Sequence, residues 1–253
     1  MQPVLTEERH AMILNLLKEK EVVKIQELTG ATGASESTIR RDLTDLEAAG
    51  LLRRVHGGAA KVSRKRIEPT MGEKSNRFSE EKRAAGRLAA SLIEDNDCIF
   101  IDAGTTTLAL IPYIQAKNIV AVTSGFDHLR LLAEQGIEAY STGGRLKKST
   151  EALTGTGAVH GLQQYWFDKA FLGVNGIHLK AGYTTPDPEE AAVKTEAINR
   201  AQQPFILSDA SKFQESTFAH IADLDEAVII TGKIPEKTRR MFEKVTDIKE
   251  ALS

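Results

Sequence analysis

Two groups of residues have the types and spacing to do chemistry. The first runs from residue 35 to residue 56. Ser35, Ser37, Thr38, Arg40, Arg41 and Thr44 fall on or beside the polar side of a helical repeat whose apolar side is Ile39, Leu43 and Leu46. Hydroxyls and unpaired amides at a helix start bind phosphate oxygens, and an arginine fork fits a phosphate or the O6/N7 edge of guanine. Arg53, Arg54 and His56 follow in a stretch that alternates and then turns at Gly57-Gly58, the pattern of a β-hairpin wing that lies along a DNA backbone or enters the minor groove. Taken alone, this is equally a helical hairpin with surface arginines.

The second group sits where short apolar runs end. Asp102, Gly104, Thr105, Thr106 and Thr107 follow the run CIFI and open a helix (LALIPYI). Glycine admits a ligand close to the backbone, three hydroxyls donate hydrogen bonds, and a helix start adds amides, which together suit a phosphate. The lysine of a P-loop is missing, so nucleotide hydrolysis is not indicated. Thr123 and Ser124, Gly143 and Gly144, Gly173, Asn175 and Gly176, and Asp209 and Lys212 end further runs. Lys194 and Lys212 are candidates to neutralise a phosphate, and Asp102 and Asp209 to accept sugar hydroxyls. Each of these also fits an ordinary capped turn or surface charge; jointly they favour a phosphorylated polyol.

The elements that would hold these groups are legible from periodicity. Thr6 is the expected N-cap of a first helix that buries Ile13, Leu16 and Leu17. Ile25 and Leu28 mark a short second helix, Gly33 a turn, and Ser35 the N-cap of a third helix over 37–47. Residues 1–60 read as a winged helix-turn-helix domain and the polar stretch 61–78 as a linker. Residues 79–253 read as an α/β domain in which strand-like runs alternate with helices such as FDHLRLLAEQ and EEAAVKTEAINRAQ. That alternation predicts a parallel sheet covered on both faces, with ligands bound outside the carboxyl ends of its strands.

Composition agrees with two modules that meet different partners. The net charge of −2 hides twelve Lys and Arg against nine Asp and Glu in residues 1–66, leaving the remainder acidic. With 41% hydrophobic residues there is enough to bury a core, and no apolar run is long enough for a membrane span, so a cytoplasmic protein is expected. A lone cysteine, Cys98, excludes an intrachain disulfide, and its apolar neighbours predict a buried thiol. Six histidines without ligand spacing give a metal site no support.

The string ASESTIRRDLTDLEAAGLLRRVHGGAA resembles the signature of the DeoR family of bacterial regulators. DAGTTT, TGG, FLGVNGI, EAAVK and SDASKF resemble that family's effector-sensing domain, whose fold is similar to ribose-5-phosphate isomerase. The resemblance implies a recognition helix over 35–47, a wing over 53–59, a homodimer or homotetramer on double-stranded operator DNA, and a sugar phosphate effector. AGYTTPDPEEAAVK is most similar to the fructose-operon repressors of Gram-positive bacteria, which implies fructose 1-phosphate; lactose-operon members, which sense tagatose 6-phosphate, are close relatives. Three departures stand out: Gly30 in the second helix, Ala34 in place of a larger apolar residue, and Ser124 where asparagine is common. No cofactor is implied. The alternative is an isomerase-like enzyme with a DNA-binding arm, its acid and base drawn from Glu189, Glu190, Asp102 or Asp168 with Lys194, although no dyad stands out.

Overall fold

A computed structural model describes residues 5–20, 22–61, 72 and 79–251. The chain divides into two compact units, Met1–Arg64 and Lys65–Ser253. Apart from Lys61 and Gly72, the expected linker lies outside the described residues, and Lys61 is the last residue of a strand.

In the first unit, α1 (Thr6–Lys20) carries Glu7 and Glu8 in its first turn, where the helix dipole favours carboxylates. Thr6 is the first helical residue and not the cap before it, since the Arg9 amide already bonds to the Leu5 carbonyl. β1 (Val22–Lys24) leads directly into α2 (Ile25–Thr32), which ends on Gly33 at φ 68°. Ser35 caps α3 (Glu36–Ala48) by accepting from the Thr38 amide, and β2 (Leu52–Val55) and β3 (Gly58–Lys61) form the wing hairpin. β1 joins the wing as a third strand on β3. The close approach sets one residue type: a Cβ on Gly58 would lie 2.1 Å from the Val23 carbonyl oxygen. Ile13, Leu17, Val23, Leu28, Ile39, Leu43, Leu46 and Leu52 fill the core between helices and wing.

One buried ion pair pins α1 to α3. Arg9 donates from Nε to Asp42 Oδ2 (2.5 Å) and from Nη2 to Oδ1 (2.9 Å), with His10 Nε2 3.2 Å from Oδ1. Burial acts to raise the Asp42 pKa, but the Arg9 hydrogen bonds and charge, helped by His10, outweigh it and hold the carboxyl below the usual aspartate range. A depressed carboxylate stabilises the fold above its unfolded pKa of about 3.9 and loses that contribution as pH falls through the folded value.

In the second unit, seven parallel strands form one sheet in the order β15-β14-β12-β9-β4-β5-β6: β4 (Cys98–Ile101), β5 (Val120–Thr123), β6 (Glu138–Ser141), β9 (Phe167–Gly173), β12 (Ala201–Ser208), β14 (Val228–Thr231) and β15 (Ile248–Glu250). Alternate side chains go to opposite faces. Ile99, Ile101, Phe171, Phe205 and Leu207 meet α4 (Ser79–Ala90) and α6 (Phe126–Glu134), while Phe100, Leu172 and Ile206 meet α7 (Thr156–Leu162) and α8 (Pro188–Asn199). The helix expected after Thr105 is a single turn, α5 (Thr105–Leu108), followed by a 3-10 turn that contains Pro112.

Antiparallel strands absent from the sequence reading are added to this frame. β7 (Arg145–Lys147) pairs with β8 (Ala152–Thr154), and β10 (Gly176–His178), β11 (Gly182–Thr185) and β13 (Ala219–Ala222) form a small sheet. α9 (Glu236–Phe242) brings Phe242 onto Phe213 edge to face. Cys98 corrects an expectation: it is exposed, because it opens β4 at the amino edge and burial begins with Ile99. No helix among the described residues is long and apolar enough to cross a membrane, and none of their His, Cys, Asp and Glu side chains group to hold a metal.

Two outcomes are expected. Asp42→Asn should lower hydrogen-exchange protection of the α3 amides at neutral pH, by about 3–5 kcal/mol for a broken buried pair, and should remove the loss of protection expected of the parent protein below about pH 4. Gly30→Ala should stabilise the first unit by about 1 kcal/mol in thermal unfolding, since Gly30 is exposed and a Cβ there meets nothing within 4 Å.

Candidate functional site

On α3 and the wing, the expected contact residues divide into tied and untied groups. Ser35 Oγ gathers Ser37 Oγ (2.9 Å) and Thr38 Oγ1 (2.8 Å) into one hydroxyl cluster at the helix start. Arg40 pairs along the helix with Glu36 at 2.5 Å. Arg54 is held twice: its amide donates to Glu47 Oε1 (2.8 Å) and its guanidinium to Thr44 Oγ1 (3.1 Å), which stitches the wing to α3. The side chains of Arg41, Arg53 and His56 are exposed and make no hydrogen bond or ion pair with another described residue. Those three are the side chains ready to meet a ligand without first breaking a contact.

In the second unit, sheet order explains the site. β4 and β9 are neighbours, yet from them the chain proceeds outward in opposite directions, to β5 and β6 on one side and to β12, β14 and β15 on the other. At such a switch point the loops leaving the two strands diverge and leave a crevice at their carboxyl ends. Asp102 follows β4 there and is buried. Its Oδ2 accepts from the Gly173 amide at the end of β9 (3.0 Å) and from Lys194 Nζ on α8. Ser124, after β5, accepts from the Ala103 amide (3.0 Å) and places its hydroxyl 3.4 Å from Asp102 Oδ1. Asp102, Lys194, Gly173 and Ser124 are therefore brought together as one constellation.

The neighbouring hydroxyls mostly hold the frame. Thr107 Oγ1 lies 2.5 Å from the Asp102 carbonyl and 2.9 Å from that of Gly104, and Thr123 Oγ1 donates to the Ile101 carbonyl (2.6 Å) while accepting from the Gly125 amide (3.0 Å). Thr105 and Thr106 occupy the one-turn α5, with Gly104 preceding it. Gly144 is set by packing, since a Cβ would lie 2.6 Å from the Thr154 carbonyl oxygen; Gly143 beside it also has positive φ but open space. Asn175 and Gly176 turn the chain into the small sheet, where Asn175 Oδ1 accepts from Thr185 (3.2 Å). Asp209 caps the turn 210–212 through the Ser211 amide (3.0 Å), and Lys212 lies on that same turn.

Sequence reading missed two features of this edge. His128 on α6 is fully buried, with Nε2 3.1 Å from Thr107 Oγ1, and burial pushes its pKa down to about 4, so the ring is neutral at physiological pH. The ring packs directly on Gly125, where a Cβ would meet His128 Nδ1 at 2.2 Å. The second feature is a set of ion pairs between β7 and the start of α8. Lys147 Nζ lies 2.7 Å from Asp187 Oδ2 and 2.9 Å from Glu190 Oε1, and Arg145 pairs with Glu189.

These pairs bear on the acid–base groups considered from sequence. Glu189 and Glu190 are engaged by cations and threonines, and Asp168 lies at the amino edge, where it accepts from the Cys98 amide (2.8 Å), far along the strands from Asp102. A wide surface cleft of about 840 Å³ also lies at that amino edge, lined by Gln203, Phe205, Val228 and Ile248, and no residue of the Asp102 constellation borders it. The ion pair carries its own expectation. Lys194→Met should leave Asp102 buried and unpaired and lower the stability of the second unit by about 3–5 kcal/mol, whereas Lys194→Met with Asp102→Asn should recover most of that loss in thermal unfolding.

Known proteins show matching features over nearly all of this chain. The model of the DeoR-like helix-turn-helix domain matches residues 9–65, and that of the DeoR C terminal sensor domain matches residues 77–233. FruR of Bacillus subtilis, named an uncharacterized HTH-type transcriptional regulator, is 47% identical over 97% of this chain and 98% of its own. The HTH-type transcriptional repressor GlcR of the same organism is 35% identical over 91% of this chain and 90% of its own. Among solved structures, ribose 5-phosphate isomerase A from Methanocaldococcus jannaschii covers 53% of this chain with 54% of its own at 15% identity and a TM-score of 0.41, a likeness that adds nothing to the fold described above. The chain belongs to the DeoR family of helix-turn-helix transcriptional regulators.

Proposed function

We propose that this chain represses a sugar-utilisation operon, fructose being the first choice, and leaves its operator when a sugar phosphate occupies the carboxyl-end crevice. Fructose 1-phosphate is the favoured effector and tagatose 6-phosphate the alternative. The observation that carries the reading is the buried Lys194–Asp102 pair at the switch point, with the Gly173 amide and Ser124 on the same carboxylate. The lysine offers a phosphate oxygen an ammonium donor and the carboxylate beside it accepts sugar hydroxyls, although the pair itself carries no net charge. On the DNA side, Arg41 reads a base edge and Arg53 follows the backbone, because neither side chain is tied to another of the described residues. One such helix covers only a few base pairs, so two copies on a two-fold axis, as a homodimer or within a homotetramer, read the operator as paired half-sites. Loss of DNA binding follows only where the sugar phosphate prefers the arrangement that does not fit DNA. The protein acts in the cytoplasm.

A thermal-shift panel of sugar phosphates tests the sensor. At a hundred times its Kd the effector stabilises by about 2.7 kcal/mol, a rise of about 5–10 °C, and no response to any member would remove the sugar phosphate reading. Gel-shift titration on the operon's own promoter tests the output. Fructose 1-phosphate should release the DNA. Arg41→Ala should weaken operator binding by about 1–3 kcal/mol with the thermal response to the effector retained, and Arg53→Ala should shallow the salt dependence by about one unit.

A further inference from the structure

β7 and β8 form a two-stranded sheet separate from the seven-stranded one, and such a hairpin is only marginally stable alone. Glycines in the left-handed region flank it, Gly143 (φ 69°) and Gly144 (φ 96°) before and Gly155 (φ 85°) after. Positions of that kind absorb a hinge rotation at low cost. Two sets of bonds hold the hairpin. On one side the Leu153 amide donates to the Ser124 carbonyl (2.7 Å) and the Phe126 amide to the Glu151 carbonyl (3.0 Å). On the other side the partners are carboxylates at the start of α8: Lys147 sits between Asp187 and Glu190, Thr150 Oγ1 donates to Glu190 Oε1 (2.7 Å), and Arg145 and Thr154 reach Glu189.

These contacts close a ring. Glu190 and Lys194 lie one helical turn apart and are both buried on α8. From Lys194 the path runs to Asp102, to the Ser124 hydroxyl, through the Ser124 carbonyl to the hairpin, and by Thr150 and Lys147 back to Glu190. Asp102 already neutralises Lys194, so a phosphate dianion entering beside them needs a further cation. Lys147 is the next one around the ring, shared between two carboxylates and able to exchange one of them.

We propose that the β7–β8 hairpin is a hinged flap of the effector site, latched to α8 through Lys147, and that a bound phosphomonoester draws Lys147 to itself and locks the flap shut. The inference rests on the effector reading above and adds the element that responds to the ligand.

Limited trypsin digestion of the full chain reads the flap, because Lys147 and Lys148 lie within it. Two variants loosen the latch without reaching Asp102: Glu190→Gln, and Asp187→Asn, which retains an oxygen to cap the Glu189 amide. Without ligand and well below each protein's melting temperature, both should be cut after Lys148 about fivefold faster than the parent, and equal rates would overturn the latch. With fructose 1-phosphate, the parent should be protected about fivefold, and Lys147→Met should release the ligand about tenfold faster. A ligand that raises the melting temperature but alters neither cleavage nor the Lys147→Met release rate would overturn the flap and leave the effector reading standing. Failure of every sugar phosphate to shift the melt would overturn the effector reading itself, and the ligand-driven lock with it.

Discussion

Burying an ammonium and a carboxylate costs several kcal/mol per ion unless the two are paired and their remaining hydrogen-bonding positions are filled. Much of the second unit's geometry follows from meeting that condition for Lys194 and Asp102. The carboxylate needs donors, and the Gly173 amide and Ser124 hydroxyl supply them, each from the end of a different strand. That arrangement is available only where β4 lies between β9 and β5 and the loops leaving them separate. Lys194 must in turn be carried by a helix lying across the same end of the sheet. The apolar positions Ala191, Val193, Ala197 and Ile198 of α8 provide the packing that holds it there.

The same rule operates in the first unit at smaller scale. Arg9 and Asp42 are buried together and join α1 to α3, so the angle at which α3 presents its polar side depends on a charge pair on its opposite side. Arg54 adds a second tie, from the wing to Thr44. Both ties leave Arg41 and Arg53 uncommitted. A reading surface of this kind is rigid in backbone and available in side chain, which lowers the ordering cost of binding.

What the sequence made legible and what it concealed divide along physical lines. α3 was legible because Ile39, Leu43 and Leu46 repeat at the helical period and Ser35 caps it. The inner parallel strands were legible because runs buried on both faces, such as Ile99 to Ile101, are continuously apolar, whereas β15 was not, being a three-residue edge strand with no buried position. β1 was not, since only Val23 of its three residues is buried and its pairing partners are far along the chain, Val22 with Ala60 and Lys24 with Gly58. The Arg9–Asp42 and Lys147–Glu190 pairs were concealed for the same reason: charged residues far apart in sequence carry no periodic signal. Cys98 misled because apolar neighbours in sequence do not bury the first residue of a strand. At the crevice, residue types at strand ends singled out Asp102, Ser124 and Gly173 as candidates, with Lys194 on a helix, whereas nothing in those types distinguished a group with a choice of partner from one, such as Thr123, already spent on stitching two strands.

That distinction bears on how a ligand could matter at all. A small molecule shifts an equilibrium only by the difference in its affinity for two arrangements. Groups locked into strand-to-strand hydrogen bonds, such as Thr123 and Thr107, look the same in both and contribute no difference. The groups able to contribute are those with a choice of partner: Lys147 between two carboxylates, and Asp102, whose two oxygens face three donors. Both belong to one ring with α8, a helix long enough to carry a displacement at the carboxyl edge down to Arg200 near the start of β12. A change of partner at the crevice is therefore felt by a rigid element packed through half of the core, and not by a surface loop alone.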